Sequence, residues 1–321
     1  MMKIVNWAAC LMMGTFVFAQ NTQVVSNSGG YIENGVISLD QTIGELAVDD
    51  LKGADLTLEQ GFHNTFLKMG LVVNAMAFLQ GPYNETNFLM NDNLRSLGLI
   101  PLNSPYLDSD TATTQDILDV VGNDAIVDWV FVEIRDRSVN NLVIGYQSAL
   151  IQRDGDVVDV DGINPLEFDL LPGTYFVSVS HRNHLGALTE NAEMLTKNPE
   201  VLDFTDSAFT TFGNYARVEL TSGDMALWAG DVNGNGQVRF QGPGNDTNKI
   251  KDNVLDLTNG NPVGSNFYPY VAYDNADIDM NGQVRYLGPG NDTNTLKDIV
   301  LSHPANSTSS NFFPFFVQIP N

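Results

Sequence analysis

Two stretches of the chain carry residue types and spacings suited to holding a hard cation. In the first, Asp231, Asn233 and Asn235 stand at positions 1, 3 and 5 of a loop, Gly236 at position 6, and Gln237 offers its backbone carbonyl at position 7. In the second, Asp277, Asp279, Asn281, Gly282 and Gln283 repeat that order. Calcium takes about six to eight oxygens, and a loop supplies them from alternate positions when a glycine allows a sharp turn at the sixth. Position 12, where a carboxylate would close such a loop, is Gly242 in one copy and Gly288 in the other. The next acids, Asp246 and Asp292, come four residues later in both. Gly242-Pro243-Gly244 and Gly288-Pro289-Gly290 therefore read as an inserted turn that brings those acids back to complete the shell. Asp and Asn beside Gly also make plain turns, but a matched register in two copies favours oxygen ligands for calcium, two ions in all.

Other groupings invite chemistry less well. His181, Arg182 and His184 lie at the end of an expected strand, where alternation places the two imidazoles on opposite faces, without the convergence zinc requires. Asp154, Asp156, Asp159 and Asp161 form an acid cluster without the loop spacing, and read as a solvated hairpin. Neither a Gly-x-Ser-x-Gly elbow, a His-Glu-x-x-His helix nor a phosphate-cradling glycine loop occurs. The expectation is a protein that is not an enzyme.

The elements that must position the loops are mostly strands. Residues 20–70 alternate in short runs such as Gly35-Val36-Ile37-Ser38-Leu39, a short N-terminal β module. Residues 71–227 carry the strongest strand signals: Leu71 to Leu79, Trp129 to Ile134, Leu142 to Gln152, and Gly173 to Ser180, where Tyr175, Val177 and Val179 share a face. Asn91 to Gly98 reads as a short helix. Strands parted by Gly, Asn and Asp turns predict an antiparallel β-sandwich. Residues 228–321 are duplicated, with Asp231 to Val271 matching Asp277 to Val317. After each inserted turn a helix is expected, with Ile250, Val254 and Leu257 in the first copy and Leu296, Ile299 and Val300 in the second. The late Asp of each loop is expected to cap it. Two copies are too few for a solenoid, so the pair should pack face to face.

Composition bounds the partners. With 39 acids against 15 bases the net charge is −24, which repels nucleic acid and anionic lipid and attracts divalent cations. Lys3 and the apolar run Ile4 to Phe18, ending at Val17-Phe18-Ala19, read as a secretory signal (residues 1–19) cleaved after Ala19. The run is short for a membrane span, and Cys10 comes too early in it for a lipoprotein signal. Cys10 is the only cysteine, so disulfides do not stabilise the exported chain, and bound metal is a natural substitute.

The paired loop-then-helix units resemble dockerin repeats, from which the inserted Gly-Pro-Gly turn departs. The wider pattern is similar to secreted surface proteins of Bacteroidota described as haemagglutinin-like or calcium-binding. It includes Phe78 to Tyr83, Asp128-Trp129, Gln152 to Asp156, His181 to Gly186, the duplicated region and the closing Ile319-Pro320. The resemblance implies a secreted or outer-surface location and a dockerin-like calcium domain after a sandwich. The function expected is that of a calcium-stabilised structural or adhesion protein whose partner is a surface glycan or another surface protein. A glycan- or peptide-binding module is the alternative, and exposed aromatics such as Tyr83, Tyr106 or Tyr146 lining a groove would mark it. A hydrolase would instead show two carboxylates at glycosidase separation in a pocket.

Overall fold

The computed structural model describes residues 26–33, 38–44, 51–52, 57–58, 67–68 and 70–320. The expected signal at residues 1–19 lies outside them. Two compact units divide the chain, Met1–Lys68 and Met69–Asn321. In the first, Ser26–Glu33 pairs antiparallel with Ser38–Gly44, and Leu51–Lys52, Thr57–Leu58 and Leu67–Lys68 form a three-stranded sheet. Strand accounts for 30% and helix for 13% of the chain, so the protein is mostly β.

The second unit is built on one curled eight-stranded sheet. Ile126–Arg135 lies at its centre, paired antiparallel with Val143–Gln152 on one side and Gly173–His181 on the other. Nine of its ten residues are buried, which is why its sequence is a near-continuous apolar run rather than an alternating one. Gly173–His181 does not alternate at its buried end as expected: Val177, Ser178 and Val179 are all fully enclosed, the Ser178 hydroxyl donating to Glu133. Outward from this centre the sheet runs through His184–Leu188 on one flank. The other flank continues through Asp156–Val158 and Ala75–Met76 to Leu202–Asp203, the last pairing parallel. Leu71 to Leu79 is not one strand. Leu71–Val73 pairs with Leu166–Phe168, whereas Ala75–Met76 joins the large sheet, and the Asn74 carbonyl between them accepts from Leu202 N. Two short helices, α1 (Asn93–Ser96) and α2 (Gln115–Leu118), bury Leu94 and Leu118 against this core.

Two hydrophobic clusters hold the unit together. One fills the curl of the sheet; the other gathers Trp228, Val232, Val238, Ile250, Val254, Ile278, Val284, Leu296, Val300 and Phe315 from the duplicated region. The duplicated region contributes helices α3 (Asp246–Leu255) and α4 (Asp292–Ser302). The apolar stripe of α3 is shorter than expected: the helix ends at Leu255, and Leu257, on the turn beyond it, is 64% exposed.

The two copies exchange their ends. Gln237–Arg239 of the first loop pairs with Pro314–Phe316 from the tail of the second copy, and Gln283–Val284 of the second pairs with Tyr270–Val271 from the tail of the first. The Phe312 ring lies beside Gly242 and the Phe267 ring beside Gly288, so each tail also covers the other copy's inserted turn.

Candidate metal centre

Each loop is shaped by its own position 1 carboxylate. Asp231 accepts from Asn235 N at 3.0 Å and Gly236 N at 2.9 Å; Asp277 accepts from Asn281 N at 3.0 Å and Gly282 N at 2.7 Å. These bonds need the sixth residue at positive φ, and Gly236 (75°) and Gly282 (85°) supply it. Asn235 and Asn281 then accept from Gln237 N and Gln283 N, each at 2.9 Å, turning the chain into the short strand that carries the position 7 carbonyl.

The late acids return as the spacing predicts. Asp246 accepts from Val232 N (2.9 Å), Asn233 N (3.2 Å) and Arg239 N (2.9 Å). Asp292 accepts from Ile278 N and Arg285 N, both at 2.7 Å. Each bridges the start and the end of its own loop. Capping falls to a different residue from the one expected: Asn245 accepts from Asn248 N at 2.9 Å and Asn291 from Asn294 N at 2.8 Å. With the caps made by their neighbours, Asp246 and Asp292 occupy the first helical position and turn their carboxylates into the loops. Asn-Asp-Thr-Asn before an apolar stripe contains that signal, Asn being as good a cap as Asp.

Asp277, Asp279 and Asp292 bring a ligand oxygen each to within 4.8 Å of one another, and this triad could hold a metal ion. The first loop has the same frame with one carboxylate fewer, because Asn233 stands where the second has Asp279. Burial, and then the neighbouring Asp279 charge, raises the carboxyls of Asp277 and Asp292 above the usual range. Burial also raises Asp231 and pushes Asp246 up to about 7, with Asp231 adding to it. A bound divalent ion would reverse the sign of that cost by pairing the charges.

The second loop is also tied to the sheet. Met280, a non-glycine at φ 55°, is buried in the core of the sheet, whereas its counterpart Gly234 faces open space. Asn183 Nδ2 donates to the carbonyls of Asn275 (3.0 Å) and Asp277 (2.8 Å). Beside it lies a buried polar chain. Gly81 N donates to His184 Nε2 at 3.1 Å, so the neutral His184 proton sits on Nδ1, facing His181 Nδ1 at 2.9 Å. His181 Nε2 in turn donates to Asp128 at 3.1 Å. Asp128 also accepts from Arg182 Nε (2.9 Å) and the Tyr273 hydroxyl (2.6 Å). Burial alone would raise the Asp128 carboxyl; Arg182, with these hydrogen bonds, holds it at about 2.

This overturns the expectation that His181 and His184 point apart. Arg182 and Asn183 reverse the chain, and the two histidines face each other across a hairpin. Sequence alternation applies within a strand, and these residues belong to two. Of the acids at 154–161, Asp161 accepts from Ile163 N and Asn164 N in a turn, and Asp159 accepts from Gln147 Nε2 of the strand Val143–Gln152. Comparison with protein-family models, curated proteins and solved structures finds no match to this chain in any of the three.

Proposed function

We propose that this is an exported structural or adhesion protein whose C-terminal pair of loops binds two calcium ions that hold its shape. The buried Asp277, Asp279 and Asp292 triad carries the reading, and support comes from the same hydrogen-bonded frame around Asp231 and Asp246. Asn side chains and backbone carbonyls make up the remaining oxygens at each loop, a ligand set suited to calcium rather than to zinc. Calcium here is structural: it would pair buried carboxylates inside a chain whose only cysteine lies at position 10. The resemblance to secreted Bacteroidota surface proteins supports export, the sandwich description of the sheet unit and a dockerin-like description of the loop pair. The expected signal sequence agrees, and among the described residues no helix is long and apolar enough to cross a membrane. Metal analysis of the purified mature protein after exhaustive dialysis against dilute calcium should return two equivalents per chain. Zero calcium, or zinc in its place, would overturn the reading.

A further inference from the structure

Between α4 and the hairpin formed by Arg217–Glu219 and Met225–Leu227 runs a groove of about 900 Å³. That is at the upper end of the roughly 300–1,000 Å³ usual for small-ligand sites. Thr295, Asp298, Ile299 and Ser302 face it from α4 at helical spacing, and Glu219 lines it from the hairpin. Trp228, 1% exposed, lines it as well, and Tyr215 lines it with 54% of its surface exposed.

Tyr215 is held in an unusual way. Its φ is 57°, a left-handed conformation that costs a non-glycine residue about 1–3 kcal/mol and tends to persist where the surroundings impose it. Its carbonyl accepts from the buried Trp228 Nε1 at 2.9 Å. The ring meets His303 edge-on at 5.7 Å, and His303 is stacked on Phe315 at 4.3 Å. Tyr215 is thus the exposed end of a fixed aromatic pile, and little freedom remains to be lost when a flat ligand lies on it.

The groove's charge narrows the ligand class. Among the described residues, Glu85, Glu219 and Asp298 line it, against a single basic residue, Arg217. That guanidinium is buried and donates to the carbonyls of Phe204 (2.7 Å), Asp206 (3.0 Å) and Phe209. The groove therefore repels anions. It offers carboxylates and hydroxyls to a ligand rich in O–H donors, beside an aromatic face for an apolar one. A pyranose has both: a flat C–H face that packs on an aromatic ring and hydroxyls that donate to carboxylates.

We propose that this groove binds a neutral oligosaccharide, one sugar ring lying on Tyr215 and its hydroxyls donating to Glu219 and Asp298. Tyr83 lines the same groove but is buried against Phe78, with its hydroxyl bonded to Ser222 and Asp224, and Tyr106 and Tyr146 pack on Phe131. An extended peptide is the competing occupant, since Arg217–Glu219 pairs on one side only among the described strands. It would use backbone bonds and leave Tyr215 and Asp298 without a role.

The test uses the full mature chain in saturating calcium, on an array of neutral glucan, mannan, xylan and chitin oligomers alongside sialylated and sulfated glycans. Neutral oligomers should be retained and anionic ones not. By calorimetry with a retained oligomer, Tyr215→Ala should lose about tenfold or more in affinity, Asp298→Asn should weaken binding, and Tyr146→Ala should match wild type. Asp298 is exposed on a helix surface, so its variant keeps the test decisive if Tyr215→Ala fails to fold. The proposal is overturned if no neutral oligomer binds, if only anionic glycans bind, or if Tyr215→Ala and Asp298→Asn bind as wild type does. Retention of a peptide library in place of the sugars also overturns it. The groove argument does not use the calcium ions, and metal analysis of the same sample separates its failure from a failure of the calcium reading.

Discussion

Replacing Asp279 by Asn tests the ranking of the two proposed calcium sites. The loops differ at position 3, neutral Asn233 in one and charged Asp279 in the other. Oxygens on opposite sides of a calcium ion stand about 4.8 Å apart, twice a coordination distance of about 2.4 Å, and the three carboxylates of the second loop present oxygens within 4.8 Å of one another. At an effective dielectric of about 20, a carboxylate at coordination distance attracts a divalent ion by roughly 14 kcal/mol. The same carboxylate is repelled by Asp277 and by Asp292 by at least about 3.5 kcal/mol each, and partial removal from water costs about 5 kcal/mol more. The balance is at most about 2 kcal/mol in favour of the charged residue, up to roughly thirtyfold in affinity. The Asp277 loop should therefore fill first, and Asp279→Asn should weaken its step by up to about thirtyfold while leaving the other in place. Calorimetric calcium titration of wild type, Asp279→Asn and Asn233→Asp reads this directly, the last variant tightening the first loop. If the tighter step of Asp279→Asn stays within about twofold of wild type, position 3 does not face the ion and the reasoning fails.

Three further outcomes follow from the same geometry. Chelation should lower the melting temperature of the mature chain, since bound calcium stabilises by mass action and its loss leaves buried carboxylates unpaired; superimposable melts with and without chelator would contradict this. Met280→Ala should destabilise the calcium-loaded protein by about 2–5 kcal/mol in urea through the loss of a buried side chain, since alanine keeps the Cβ that strains a left-handed backbone, and the same change at exposed Val121 should cost little. Burial lowers the pKa of His181 and of His184, the latter further because His181 and Arg182 face it. Their contribution is then complete above the unfolded value of about 6.5 and is lost as pH falls below it. The calcium-saturated protein should lose stability from pH 7 to 5 more steeply than the His181→Gln/His184→Gln double variant, and equal slopes would remove the histidines from the account.

Much of the candidate metal centre was legible because its residues come from one loop and the next helix start, so spacing along the chain encodes spacing in space. The strand Gly173–His181 was legible from its valine and aromatic content, but not its burial, since Ser178 between Val177 and Val179 is enclosed as fully as they are. What escaped depends on long-range pairing. Ile126–Arg135 is a strong strand in sequence, but nothing local says that it lies between Val143–Gln152 and Gly173–His181. The histidine pair was misjudged because a two-residue reversal moved His184 onto another strand. The groove was invisible because Tyr215 and α4, which line it, are far apart in sequence and each looks ordinary alone.

The exchange of tails between the two copies sets the smallest piece of this region that can be inherited or transplanted. A gene fragment encoding one copy would carry a loop whose edge strand has no mate and an inserted turn without the aromatic ring that covers it, because Phe312 serves Gly242 and Phe267 serves Gly288. Duplication here did not produce two modules in a row. It produced one module written twice, and shuffling, grafting or circular rearrangement of the region has to move residues 231–317 together.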